Sequence, residues 1–520
     1  LEEENIKDIL IKRKNMKFRL IIQGIIIGLI TGGIIVLNRI FIKKLSSIFL
    51  DLYLWGNKGL INTILVIIIL ALVGILVGFM SKRENMISGS GIPQVKGRVI
   101  NKLKMNWFRI LIYKFAGGVL ALSAGLSLGR EGPSVQIGAS IGEGIAESTY
   151  KKMPVKKEFL ITAGASAGLS AAFNSPLSGI VFALEEIHRN FSPLVLLSAM
   201  AAAISADFIS KNFLGMEPAL NFNEMSALPL KYYWVLIILG FITGVMGVIF
   251  SKGIYLFQDI YSKLTKIPIE IKIMIPFIIT AIIGLTLPIL LGGGHELIMD
   301  LNSEKHAISF LIILYLVKFL LLLICFGSGV PGGIFLPMLL LGAIIGNAIG
   351  VFSVDILGIS NSFMINFIAL GMAGYFAAVV KAPITGIVLI MEMTGSFTHL
   401  LSLSVVVIIA YITSEALKNQ PIYEVLLERL LKRVGVSDEE NNAKKTIVEF
   451  VVEMESIVEG KYIYEINWPK DCLLVAIKRG DKEIIPRGSV KLISGDYIVV
   501  LVNIDKRSDV IEYITELTLA

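Results

Sequence analysis

The chain has 520 residues, of which 55% are hydrophobic and only 17% charged, against roughly 45–50% apolar and about 25% charged in soluble domains. Its net charge of +7 is carried by basic residues that flank apolar runs, so it does not indicate a nucleic-acid partner. Cys325 and Cys472 lie in different regions, which implies no disulfide framework.

Six basic residues, Lys7, Lys12, Arg13, Lys14, Lys17 and Arg19, precede the first apolar run at 20–37. By the excess of Lys and Arg on the inner side of a bilayer, the N-terminus is expected to be cytoplasmic. That run is too long for a signal peptide and lacks a small-residue cleavage site; a chain starting at Leu1 suggests trimming. Further apolar runs follow at 60–80, 233–250, 271–291, 308–326 and 400–412. Several reach the ~20 residues that span a bilayer, so the chain reads as a polytopic α-helical membrane protein. The clusters Lys82/Arg83, Lys96/Arg98/Lys102/Lys104 and Lys418/Arg429/Lys432/Arg433 are expected on the cytoplasmic side as well.

Composition divides the chain into a membrane part, 1–435, a polar acidic linker, 436–446, and a soluble part, 447–520. In the last, short alternating runs at 462–464, 473–479 and 497–502, separated by turn residues such as Ser494-Gly495-Asp496, predict strands, and 509–517 predicts a closing helix. This is a small α/β domain, expected in the cytoplasm.

The membrane part contains an internal repeat. Ser175-Pro176-Leu177-Ser178-Gly179-Ile180-Val181 matches Ala382-Pro383-Ile384-Thr385-Gly386-Ile387-Val388, with Glu185 opposite Glu392. Gly129 and Pro133 match Gly333 and Pro337, and the run at 137–142 matches 341–346. Paired halves in membrane transporters commonly enclose a site built from discontinuous helices.

Three glycine-proline segments interrupt the apolar pattern: Gly89-Ser90-Gly91-Ile92-Pro93, Gly129-Arg130-Glu131-Gly132-Pro133 and Gly333-Ile334-Phe335-Leu336-Pro337. Irregular backbone survives in lipid only when buried in protein or lining a cavity. Each segment would open a helix with free N–H groups at its positive end, and three such ends together would cradle an anion without a full positive charge. Glu131 is an ionisable group in this apolar setting, a placement that insertion scales penalise by about 2.5–3.5 kcal/mol and that is usually functional. Its alternative is a structural ion pair with Arg130.

These motifs, together with Ala172-Phe173-Asn174-Ser175-Pro176-Leu177-Ser178-Gly179 and Pro421-Ile422-Tyr423-Glu424, resemble the CLC family of chloride channels and chloride/proton exchangers. The resemblance implies a homodimer with one anion pathway per subunit and two inverted-topology repeats. It implies that the Ser90 and Tyr423 hydroxyls hold an inner chloride, that the Ile334 and Phe335 amides contact a central one, and that the Arg130, Glu131 and Gly132 amides face an outer position. Glu131 is then the gating glutamate, and Glu186 relays protons from the cytoplasmic side. Of the adjacent Glu185 and Glu186, at most one can face a pathway. Lys114 is either a lysine that snorkels to the interface or a buried cation giving electrostatic support. For Glu392 a structural hydrogen bond is expected.

Residues 474–488 and 492–500 resemble the C-terminal ligand-binding domain of RCK/TrkA-type regulators of potassium transport. This implies a dimerising regulatory domain with a small ligand; a nucleotide, cyclic di-AMP, is the candidate by analogy. His188, His295, His306 and His399 lack metal-ligand spacing, and no phosphate-binding loop supports ATP-driven transport. The expected function is chloride/proton antiport in a bacterial plasma membrane, without enzymatic chemistry or cofactor. A passive chloride channel is the alternative. A potassium-transport component would need filter loops that are missing, and a sensor or scaffold would leave the three helix breaks without a purpose.

Overall fold

A computed structural model describes residues 3–149, 154–189, 192–220, 222, 226–303, 306–435, 445–469, 471–480, 482–503 and 507–519. The chain forms two compact units, Leu1–Val434 and Gly435–Ala520.

The first half of the larger unit runs through α1 (Glu3–Gly56), α2 (Leu60–Arg83), α3 (Ile92–Val99), α4 (Trp107–Ser123), α5 (Glu131–Thr149), α6 (Pro154–Phe173), α7 (Pro176–Phe182) and α8 (Pro193–Leu214). The second half comprises α9 (Tyr233–Lys263), α10 (Ile269–Thr286), α11 (His295–Ser303), α12 (Ile308–Gly327), α13 (Phe335–Leu357), α14 (Met364–Val380), α15 (Pro383–Thr394), α16 (Leu400–Ala416) and α17 (Ile422–Val434). Among the described residues, eight helices are long and apolar enough to cross a membrane. The apolar run at 271–291 does not make one helix: α10 stops at Thr286 and Pro288 opens a separate 3-10 turn, since proline disfavours helical backbone in the residue before it. Pro176, Pro193 and Pro383 each stand in the first turn of a helix, where a missing N–H costs no hydrogen bond.

The sequence repeat appears as paired contacts. Gly129 N donates to Gly333 O and Gly333 N to Gly129 O, both at 2.7 Å, in an antiparallel bridge between equivalent residues. Two copies that meet through the same residue with opposite chain directions are related by a local two-fold axis. The carboxylates repeat this relation. Glu185 accepts from the Ile384 and Thr385 amides and the Thr385 hydroxyl at 2.7–3.2 Å. Glu392 accepts from the Leu177 and Ser178 amides and the Ser178 hydroxyl at 2.6–3.0 Å. Each glutamate thus caps the proline-led helix of the other half, α15 or α7, satisfying N–H groups that a helix start leaves free.

Helix pairs in both halves touch backbone to backbone. A Cβ on Gly138 of α5 would lie 2.0 Å from Gly164 O of α6, and one on Gly342 of α13 would lie 2.5 Å from Gly371 O of α14. Small residues permit this approach where lipid supplies no hydrophobic drive between helices.

The smaller unit has an antiparallel sheet, β1 (Lys445–Val451), β2 (Cys472–Arg479), β3 (Lys482–Ile484) and β4 (Tyr497–Asn503), in the order β1-β4-β2-β3. Helix α18 (Arg507–Thr518) places Val510 and Ile514 in the same core as Ile498, Val500 and Val502. The strand expected at 462–464 is instead a bridge at Tyr462 and a 3-10 turn, Ile463–Glu465. The Glu465 carboxylate accepts from Tyr462 N at 2.8 Å, a local bond that competes with ladder pairing. Strand β1 starts at Lys445, inside the stretch read as linker; residues 436–444 of that stretch lie outside the described residues.

Candidate functional site

All three glycine-proline segments open helices. Along α3, α5 and α13 the first backbone bonds are donated by Val95, Ser134 and Met338, so the amides before them are not used within the helix. The chain enters α3 through Gly91 at φ +93°, where a Cβ would also lie 2.4 Å from Gln136 Oε1; glycine alone meets both demands.

Close packing brings the three starts together. A Cβ on Gly132 would lie 2.5 Å from Ser90 Oγ, one on Gly333 3.1 Å from Gly132 N, and one on Gly129 2.3 Å from Glu131 Oε2 and 3.2 Å from Leu336 N. The Glu131 carboxylate therefore rests over Gly129, beside the start of α13. Ile334 and Phe335 are fully buried. The Phe335 ring packs against Phe173, Phe182 and Phe376 with centroids 4.9–6.1 Å apart, so the aromatic cluster fixes where its backbone stands.

Glu131 is 0% exposed; no side chain among the described residues bonds to its carboxylate oxygens, and the groups set against them are the backbone amides of Glu131 and Leu336, short of full hydrogen-bond geometry. The alternative of a structural pair with Arg130 is not realised, and Arg130 Nε is itself unpartnered. Ser90 Oγ and Tyr423 Oη are likewise buried without partners. An unpaired buried polar group costs about 1–3 kcal/mol, and more when charged, so each such group in a folded protein needs an explanation. Hydroxyl donors and free amides at helix N-termini form a donor set suited to a small anion. Tyr423 is carried by α17, which packs against α3 and α14.

Lys114 does not snorkel. It is fully buried, and Nζ donates to Ile87 O at 2.7 Å and Gly89 O at 2.6 Å, bracing the loop that carries Ser90. Lys318 does the same in the second half, donating to Leu290 O at 3.1 Å and Gly292 O at 2.8 Å. Sequence reasoning missed Lys318, although its place in an apolar run repeats that of Lys114.

Glu185 and Glu186 diverge on a π-helical turn, Ala183–His188, a form often found at functional sites. Glu185 turns to cap α15, while Glu186, 2% exposed, accepts from Lys96 Nζ at 2.6 Å. Lys96 also lies 2.6 Å from Glu424 Oε1. Neither Lys96 nor Glu424 was singled out from the sequence as a site residue. Lys96 reads there as one more flanking positive charge, and only its position seven residues after Gly89 in a helix-opening segment marks it out.

A family model described as voltage gated chloride channel matches residues 69–415, and a TrkA-C domain model matches 447–515. The H(+)/Cl(−) exchange transporter ClcA of Vibrio campbellii is 38% identical over 351 residues, which cover 66% of this chain and 75% of that protein. The transporter of the same name from Klebsiella pneumoniae is 33% identical over 350 residues, covering 66% and 74%. Among solved structures, a slow cyanobacterial Cl−/H+ antiporter matches with a TM-score of 0.76 at 32% identity, covering 80% of this chain and 99% of that one.

Proposed function

The chain belongs to the voltage gated chloride channel family, and on that premise we propose that it is an antiporter exchanging chloride for protons across a membrane. One observation carries the reading: a buried Glu131 carboxylate with no side-chain partner, set against backbone amides at the convergence of three helix starts. A carboxylate and a chloride are alternative anions for the same amide tips. When Glu131 is ionised it competes with chloride there; when protonated it loses that claim and can carry its proton aside. Ser90 and Tyr423 supply hydroxyl donors for the inner chloride, the Ile334 and Phe335 amides serve a central one, and the Arg130, Glu131 and Gly132 amides face the outer position. Glu186 relays protons between Glu131 and the cytoplasmic side, and Lys114 supports the site through the Ser90 loop. The buried carboxylate at 186, joined to the exposed Arg189 by a row of ion pairs, supports exchange over passive conduction. The relatives named as exchange transporters and the matching antiporter structure support the same reading.

We assign the TrkA-C domain a regulatory role in a homodimer, with both termini cytoplasmic and a small ligand, cyclic di-AMP by analogy, as its effector; the basic clusters flanking the apolar spans support the orientation. The test is paired chloride and pH recording on reconstituted liposomes. An imposed chloride gradient should drive protons uphill. Chloride movement with no opposing proton movement would make this a passive channel instead.

A further inference from the structure

Lys96 holds two carboxylates at once. Its Nζ lies 2.6 Å from Glu186 Oε1 and 2.6 Å from Glu424 Oε1, and Arg189 Nη1 lies 3.1 Å from the same Glu424 oxygen. Side-chain exposure rises along the row from 2% at Glu186 and 4% at Lys96 to 29% at Glu424 and 46% at Arg189. Three elements supply it: α3 gives Lys96, α17 gives Glu424, and the π-helical turn with the residue after it gives Glu186 and Arg189. Lys102 also acts on Glu424 through its charge, and the Glu186 charge reaches the Tyr423 phenol. The carboxylates of the neighbouring helices are held elsewhere, Glu143 of α5 by Arg98 and Glu158 of α6 by Asn101, and His188 Nδ1 sits against Thr162.

The Lys96 ammonium is held by carboxylates and not, like Lys114 and Lys318, by backbone carbonyls, and removing one partner of a buried pair is strongly unfavourable. If Glu186 were the sole partner of Lys96, each proton it accepted would strand that charge. We propose that Glu424 is a positioning residue for proton loading, keeping Lys96 paired while Glu186 is neutral. The step balances: a hydronium ion gives one proton to a Glu186 oxygen and leaves as water, the Glu186–Lys96 ion pair breaks, and the ammonium charge rests on Glu424. Release of the proton restores the bridge. Arg189 holds Glu424 in place from the exposed side.

The inference rests on Glu186 being the relay, and the test separates the two. In liposomes, proton transport driven by chloride is followed while pH is varied on the face bearing Glu424. In Glu424→Gln the ammonium binds Glu186 alone and favours its charged form. The midpoint of the pH profile should then move by about one unit toward acid, a roughly tenfold higher proton concentration. Glu424→Asp should return it toward the parent value. In a Lys96→Met background, Glu424→Gln should add no further shift. An unchanged profile in Glu424→Gln, or the same shift with and without Lys96, would overturn the proposal while leaving antiport intact. A parent protein that moves no protons would overturn both.

Discussion

The two halves of the membrane unit share a frame and differ in what they hang on it. Gly129 and Gly333 bridge each other, Glu185 and Glu392 cap each other's helices, and Lys114 and Lys318 brace equivalent loops. Counting from Gly129 and Gly333, Arg130, Glu131 and Gly132 of the first half stand where Ile334, Phe335 and Leu336 stand in the second; counting from Glu185 and Glu392, Glu186 stands where Met393 does. The architecture-bearing groups are doubled; the carboxylates proposed to carry a proton, Glu131 and Glu186, have no counterpart in the other half. Symmetry builds the frame, and its local loss sets an ionisable side chain, Glu131, at one helix start and a locked aromatic, Phe335, at its mate.

This contrast can be broken by substitution. The largest effect is expected from Glu131→Gln, which should abolish chloride-driven proton uptake in liposomes while chloride still moves; pumping at parent rates would remove Glu131 from its role. Glu186→Gln should lower proton flux about tenfold or more in the same assay, whereas Met393→Leu at the equivalent position should not alter the coupling ratio. The capping glutamates should behave alike. Glu185→Gln and Glu392→Gln each weaken three charge-assisted bonds, and each should cost about 1–3 kcal/mol, read as similar drops in thermal unfolding midpoint in detergent; a drop in only one would refute the paired reading. The smallest effect lies in the other unit. Lys478 and Glu449 form an exposed pair at 2.6 Å, and Lys478→Met should leave that domain's thermal unfolding midpoint nearly unchanged, because solvent screens an exposed pair.

The sequence disclosed what glycine, proline and hydropathy encode: the apolar spans, the three helix starts and the repeat. It did not disclose pairing across the repeat, because nothing in a linear pattern says that Glu185 reaches Thr385 rather than its own helix. Lys96 was read as a flanking charge, since a lysine after an apolar segment looks the same whether it meets lipid headgroups or a buried carboxylate. The run at 462–464 alternates like a strand, but a single glutamate three residues after Tyr462 turns it aside. Spans such as Asn361–Val380, 94% buried over its apolar window, are apolar all round and show no faced pattern to read.

The Gly129–Gly333 bridge has a consequence for movement. Unhooking it would leave two amides and two carbonyls without partners in a dry interior, about 1–3 kcal/mol for each, and would disturb both copies together. The backbone at the heart of the protein is thus tied like the casing of a lock, and under the proposed exchange a side chain, Glu131, is the tumbler left to turn.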